Sequence, residues 1–365
     1  MNDAQALDLL EALVSIPSRS GHERDAVEFL VGEMSRHGFD AHVDPVGNAV
    51  GTLGTSGPRI CLLGHIDTVA GDVAVRREGG KLYGRGAVDA KGSLCAFVAA
   101  SARAAASGSL KARVEIVGCV EEEATSSKGA RYRATLDAPD ACIVGEPSHW
   151  DGLTLGYKGY LQVRCSFTES LAHTASDRTS AAARACRAFS VLEGEIERFN
   201  DGRETLFDRL LFHLDAVSSE SDGLSEHTHL DLKLRLPPDW MPAAAEAWLR
   251  ELVPAERFRF RGAIPAWSGP RSALLARHLA RAIARTGGRA RFQQKTGTAD
   301  LNIVAPAWNC PALAYGPGDS SLDHTPDEYI SFEEFERGIA VLTEFLCHGR
   351  LEELANPRGL ALGAM

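Results

Sequence analysis

Apolar positions along the chain change their period twice, and the changes divide it. In the first 150 residues Leu7, Leu10, Leu13 and Val14 recur at helical spacing, predicting a helix near residues 3–15, and a second helical pattern covers about 22–37. The run ICLLGH at 60–65 reads as a strand. An Ala-rich helix follows from about Gly92 to Ala106, then a strand at 114–120, a helix after Ser126 and the strand ACIVGE. Short apolar runs bounded by polar residues are what strands buried on both faces look like. This part therefore predicts an α/β domain whose helices cover a mostly parallel sheet.

From about residue 158 the texture differs. YLQVRCSF alternates with period two, an Ala-rich helix spans about 177–198, and HLDLKLRL alternates again. A helix near 242–252 and a strand at RFRFRG complete a β-α-β-α-β series, which suits a small α+β, ferredoxin-like domain with one solvated sheet face. From about 270 the first texture resumes. The pattern predicts one domain in two parts, 1–157 and 266–365, interrupted by an insert over 158–265, with the turns from Gly152 to Gly159 and from Gly262 to Pro270 as hinges.

Length and composition narrow the class. A chain of 365 residues suits two domains, and 44% hydrophobic with 24% charged residues is ordinary for a globular protein. No run approaches the roughly 18 apolar residues of a membrane span. The start carries Asp3, Asp8 and Glu11 without a basic segment, so it does not read as a signal peptide and a cytoplasmic location is expected. The eight cysteines are scattered without a CxxC pair and are expected to be buried, reduced thiols. A net charge of −10 argues against nucleic acid as a partner. Between Arg250 and Lys295, however, ten Arg and one Lys face two Glu, a local balance of +9 against −19 for the rest. Arg277, Arg281 and Arg285 recur every four residues within it; such a row is commonly a solvated helix face, and it can also dock an acidic partner.

Five segments place metal-type ligands where a strand ends or a loop begins: GHIDT, GRGAVDAKG, VEEE, VGEPS and LDHTPDE. Singly each is weak, since a His after a strand is usually structural and an acidic triplet usually solvated. Together they imply a site, because an open α/β sheet would gather its strand ends in one place, where such sheets bind ligands. Imidazole and carboxylate donors without a competing thiolate suit Zn²⁺. One shared carboxylate would give each of two metals three protein ligands and leave a position for water, whose pKa a bound zinc lowers to around 7.

GHIDTV, LYGRGAVDAKG, the Glu triplet, VGEP and LDHTPDE together resemble the acetylornithine deacetylase and succinyl-diaminopimelate desuccinylase family of di-zinc hydrolases, from the first helix to about residue 346. The resemblance implies a zinc-hydrolase catalytic domain with an inserted lid and dimerisation domain, and two Zn²⁺ per chain, with Co²⁺ as an alternative. It implies that His65 and Glu146 hold one ion, Glu123 and His324 the other, and that Asp89 bridges them, with Asp67 orienting His65. Glu122 would be the general base; a one-residue slip would instead make Glu121 the base and Glu122 the ligand. His173, preceded by Ala172 where the family usually has Gly, would reach the partner subunit's site in a homodimer and stabilise the oxyanion. Arg235 matches a position associated with the substrate carboxylate, and Lys295 and Thr298 are pocket candidates by placement.

Within the family, EEEATSSKGAR, LGYKGYLQV, QKTGTADLNIV and YGPGDSSLDHTP are most similar to the branch that works on carrier-bound intermediates of lysine and arginine biosynthesis. That resemblance implies release of lysine or ornithine from the γ-carboxyl of the C-terminal Glu of a small acidic amino-group carrier protein. The alternatives are a deacetylase of free acetyl-ornithine or acetyl-lysine, a related aminoacylase or dipeptidase, and, outside enzymes, a catalytically silent metal-stabilised binding protein. Retention of Glu122 beside Glu123 argues against the last, because holding a metal requires no base.

Overall fold

A computed structural model of the chain describes residues 1–355. The described chain forms two compact units: Met1–Gly156, Gly269–Gln293 and the described residues from Ala299 to Ala355 make the first, and Tyr157–Ser268 with Gln294–Thr298 the second.

In the first unit the run Ile60, Cys61, Leu62, Leu63 is wholly buried, and it forms the strand Arg59–His65 at the centre of a sheet. Arg113–Cys119 and Ala141–Gly145 flank it, both parallel to it. The sheet runs in the order Asp40–Val43, Ala49–Leu53, Arg113–Cys119, Arg59–His65, Ala141–Gly145, Ala312–Ala314, Gly152–Tyr157. Its middle pairings are parallel, and antiparallel ones lie towards both sides. The helices Asp3–Val14, Arg24–Arg36, Lys91–Ala106, Leu274–Arg285 and Phe332–His348 contribute to one hydrophobic core with the sheet. Lys91–Ala106 is buried nearly all round, which its Gly, Ser and Ala content permits. It lies so close to the sheet that a Cβ on Gly118 would stand 3.2 Å from Leu94, and one on Gly145 2.7 Å from the Phe97 ring.

The second unit is an antiparallel sheet in the order Leu211–Ser221, Ser225–Leu236, Gly159–Ser170, Arg257–Ile264, with the helices Ala181–Asn200 and Pro242–Leu252. The alternation read from sequence settles which side is buried: Leu161, Val163, Cys165 and Phe167 point into a core with Leu230, Leu232, Leu234 and Leu236. Leu211–Ser221 is the strand that the β-α-β-α-β reading lacks. It is an edge strand exposed over most of its length, so its sequence carries no buried alternate face. With it the order is β-α-β-β-α-β, a ferredoxin-like arrangement. The unit also takes in 294–298, beyond the insert drawn from sequence, because the Lys158 N–H donates to the Lys295 carbonyl at 3.3 Å and Thr298 Oγ1 donates to the Lys158 carbonyl at 2.8 Å.

One further reading, that all eight cysteines are buried, is corrected. Cys186 is exposed and Cys310 partly so, while the other six cysteines are buried. Cys186 falls off the inward face of Ala181–Asn200, whose buried positions are Ala181, Ala185, Ala188, Leu192 and Ile196. The basic stretch is divided between the units, with Arg250 to Arg261 in the second and Arg271 to Arg291 in the first. Several of its members have local partners: Arg285 pairs with Glu344, Arg291 with Asp151, and Arg250 lies over Phe258 and Phe260. Arg277 and Arg281 stand exposed on the helix Leu274–Arg285. No helix among the described residues is long and apolar enough to cross a membrane.

The close approach at Gly145 gives a first prediction. Gly145→Ala must displace the fully buried Phe97 ring, and it should cost about 1–3 kcal/mol of stability. The check is a lower urea midpoint at an unchanged denaturant slope; a midpoint equal to the parent's would show that the helix is free to move away.

Candidate metal centre

Three parallel strands deliver the chemistry at their carboxyl ends. His65 is the last residue of Arg59–His65, residues 121–123 follow Arg113–Cys119, and Glu146 follows Ala141–Gly145. His65 and Cys119 are paired across the ladder, so the acidic triplet leaves the sheet beside the imidazole.

Asp89 stands between the two histidines. Its Oδ1 lies 3.1 Å from His65 Nε2 and its Oδ2 3.1 Å from His324 Nε2. Glu123 Oε1 also lies 2.8 Å from His324 Nε2. One donor atom each from His65, Asp89 and Glu123 falls within 4.8 Å of the others. Glu146 is buried and bears electrostatically on Glu122, but it is not part of that tight group.

Glu121 and Glu123 turn to different partners. Glu121 sits at φ 59° and turns its carboxylate to Ser126 Oγ at 2.6 Å and Lys128 Nζ at 3.6 Å. Glu123, two residues on, reaches His324. Asp67, wholly buried, fixes this loop: its Oδ1 accepts the Glu122 N–H and its Oδ2 the Glu123 N–H, each at 3.0 Å, while Ser20 Oγ donates to Oδ2 at 2.7 Å. The Asp67 carbonyl lies 3.0 Å from His65 Nδ1, which leaves Nε2 facing Asp89.

Electrostatically the centre holds surplus negative charge. Burial would lower the His65 imidazole, but Asp67 and Asp89, with the charge of Glu122, hold it well above its usual value. Asp89 and Glu123 push His324 up to about 10. Burial drives the carboxyls of Glu122 and Glu123 upward. Burial also pushes on Asp89, but both histidines outweigh it and hold its carboxyl low. Imidazoles driven towards their cations and carboxyls driven towards their acids are what a divalent ion would relieve by displacing protons. Two imidazoles with oxygen donors and no thiolate are the donor set for zinc or a similar borderline ion.

The remaining candidates belong to the second unit. His173 is exposed in the stretch between Gly159–Ser170 and Ala181–Asn200, its Nδ1 accepting the Ala175 N–H at 3.1 Å. Arg235 stacks on the Tyr160 ring at 4.9 Å and donates from Nη1 to Thr298 Oγ1 at 2.8 Å. Lys295 is half-buried and supplies the carbonyl that receives Lys158 N–H. Lys158 was not singled out from sequence; it is wholly buried, and its ammonium donates to the carbonyls of Leu206, Phe207 and Arg209. Two further acids carry no pattern that marks them: Asp300, buried in TADLN and pushed up to about 7 by burial, and Glu328, buried at the end of TPDE. Short of a pattern, the cue in TADLN is an acid inside an otherwise apolar or small-residue stretch; TPDE has none beyond its nearness to His324.

Asp67 yields a pH-dependent prediction. Burial raises its carboxyl, but the His65, Ser20 and Glu123 interactions outweigh burial and hold it below the ordinary value. A carboxyl depressed in the folded state adds stability that is present above the unfolded pKa of about 3.9 and is lost as pH falls through the folded value. Asp67→Asn puts an N–H₂ against a donor it cannot satisfy, so at pH 7 the metal-free variant should lose about 1–3 kcal/mol. Urea unfolding of both proteins at pH 7 and pH 3 checks this. The gap should narrow at pH 3, and a constant gap would contradict the charge argument.

The chain is similar to known proteins over most of its length. Residues 61–348 match the model of peptidase family M20/M25/M40. The chain is similar to a LysW-lysine hydrolase of Deinococcus radiodurans, 44% identical over 94% of this chain and 97% of that protein. It is also similar to a putative LysW-lysine/LysW-ornithine hydrolase of Thermococcus kodakarensis, 39% identical over 95% and 92%. Among solved structures it resembles the M20 family metallo-carboxypeptidase Sso-CP2 of Sulfolobus solfataricus, with a TM-score of 0.79 at 16% identity, covering 95% of this chain and 99% of that one. At that identity the likeness concerns the fold: a mixed α/β unit with a mostly parallel central sheet. The match spans most of the chain and contains the cluster of His65, Asp89, Glu123 and His324, and on that basis the protein belongs to peptidase family M20/M25/M40, a family of metallo-hydrolases.

Proposed function

We propose that this chain is a metal-dependent amide hydrolase that frees lysine or ornithine from the γ-carboxyl of the C-terminal glutamate of a small acidic amino-group carrier protein. The observation that carries the reading is 44% identity over nearly the full length of a protein named as a LysW-lysine hydrolase, together with the imidazole–carboxylate cluster at the strand ends. In this reading the reaction runs in the cytoplasm as part of lysine or arginine biosynthesis.

His65 and Glu146 would hold one ion and His324 and Glu123 the other, with Asp89 shared; the opposite directions of Asp89 Oδ1 and Oδ2 support that division. Zinc fits the donors best, and cobalt is the alternative. When bound, such ions supply a Lewis acid that polarises the scissile carbonyl and makes water acidic near neutral pH. Glu122 takes the proton of the attacking water and passes it to the departing amine, and its raised carboxyl suits a group that both accepts and donates. Asp67 keeps the His65 ring in register. The direction of the Glu121 carboxylate, towards Ser126 and Lys128, favours the assignment of Glu122 as base and Glu123 as ligand over the slipped one. Arg235, oriented by Thr298 and Tyr160, would take the substrate carboxylate, with Lys295 near it in sequence to Thr298. His173 would serve the partner subunit's site in a homodimer formed through the second unit.

The test is release of free lysine and ornithine by the zinc-loaded protein from the carrier conjugate and from the N-acetyl amino acid, side by side. Preference for the conjugate, weakened by added salt, is expected; equal or better cleavage of the acetyl compound would make the protein a general deacylase. Glu122→Gln should lower kcat by about 10²–10⁴-fold with metal content unchanged. If that variant instead loses metal, Glu122 is a ligand and the triplet slips by one residue.

A further inference from the structure

Glu328 is buried and joins the cluster through backbone groups. It lies four residues beyond His324 and immediately ahead of the strand Tyr329–Ser331. Its Oε1 accepts the N–H of Val88 at 3.0 Å and the N–H of Asp89 at 3.2 Å. Its Oε2 accepts Nη1 of Arg85 at 2.8 Å, and Arg85 Nε donates to the Gly71 carbonyl at 2.9 Å. The Glu328 carbonyl accepts the Gly84 N–H at 3.2 Å. A buried carboxylate persists only when its lone pairs are matched, and here two successive amides and a guanidinium match them.

A general structural role would account for the guanidinium. It does not account for the choice of amides, because one of them belongs to Asp89, whose two oxygens face His65 and His324. The strand Tyr329–Ser331 also pairs with Lys81–Tyr83. The segment that carries His324 is thus tied to the segment that carries Asp89 twice: by the ladder, and by Glu328 at the aspartate itself.

We infer that Glu328 is a positioning residue: its carboxylate holds the Val88–Asp89 backbone so that Asp89 presents one oxygen to each side of the metal centre. This rests on the proposed role of Asp89 as the shared ligand. Ligands are held by the groups behind them, and loss of such a support commonly weakens metal affinity 10–100-fold. Glu328 was available to no pattern search, since it acts on a peptide N–H and has no ligand atom in the cluster.

The test titrates the full-length protein with Zn²⁺ and Co²⁺ and records the visible absorption bands of the cobalt form. Glu328→Ala should bind metal about 10–100-fold more weakly, with shifted cobalt bands and a fall in kcat at little change in KM. Arg85→Gln removes the guanidinium and leaves the carboxylate on the amides, so it should lower thermal stability while keeping the parent's affinity and bands. Should Glu328→Ala not fold, Glu328→Asp, which draws the oxygens back by one methylene, is read in the same way. Parental affinity and bands in a folded Glu328 variant overturn the inference, as does an Arg85→Gln that weakens metal binding equally. The affinity and absorption readouts use no substrate, so a wrong substrate assignment leaves them standing. A parent protein that binds neither ion overturns the metal centre and this inference together.

Discussion

Asp89 sits where two imidazoles and a glutamate converge, and the carboxylates gathered around it, largely removed from water, cannot all be ionised without compensating positive charge. The centre meets that demand in layers. His65 and His324 are pulled towards their cationic forms, the carboxyls of Glu122 and Glu123 are pushed towards their neutral forms, and backbone amides absorb what remains. Asp67 takes the amides of Glu122 and Glu123, and Glu328 takes those of Val88 and Asp89. A divalent cation is the species that relieves the whole set at once, since it displaces protons from the imidazoles and neutralises the carboxylates.

That constraint explains features of the first unit that otherwise have no common cause. Delivering His65, the triplet and Glu146 to one edge requires adjacent parallel strands that end in register, and the strands Arg59–His65, Arg113–Cys119 and Ala141–Gly145 do so. Parallel strands need cover on both faces. Close cover by Lys91–Ala106 is possible because Gly118 and Gly145 present no side chain to Leu94 and Phe97. The second unit obeys a different rule. Its antiparallel sheet buries one face against two helices, and its polar face remains available for Arg235, Tyr160 and Thr298 to organise one another.

Most of this was legible in the sequence for definite reasons. ICLLGH, YLQVRCSF and HLDLKLRL are strands whose period states how many faces are buried, and each forms where its pattern puts it. His65, the acidic triplet and Glu146 stand out in the sequence because a short apolar strand ends in or just before each of them. Leu211–Ser221 was not legible, because an exposed edge strand has no buried face to leave a period. The direction in which the Glu121 carboxylate turns was not legible either. It depends on a left-handed residue at 121 and on two amide bonds to Asp67, neither of which alters the letters of an acidic triplet. Within the basic stretch the pairing partners were not legible: several of its arginines are engaged by acids or rings, some of them distant in sequence.

The measurement that bears most directly on the centre is anomalous diffraction from crystals of the zinc-loaded protein at the zinc absorption edge. Two peaks are expected at the strand ends, one contacted by His65 and Glu146 and the other by Glu123 and His324, with an Asp89 oxygen on each and Glu121 on neither. A single peak, a peak elsewhere in the chain, or Glu121 among the ligands would contradict that assignment.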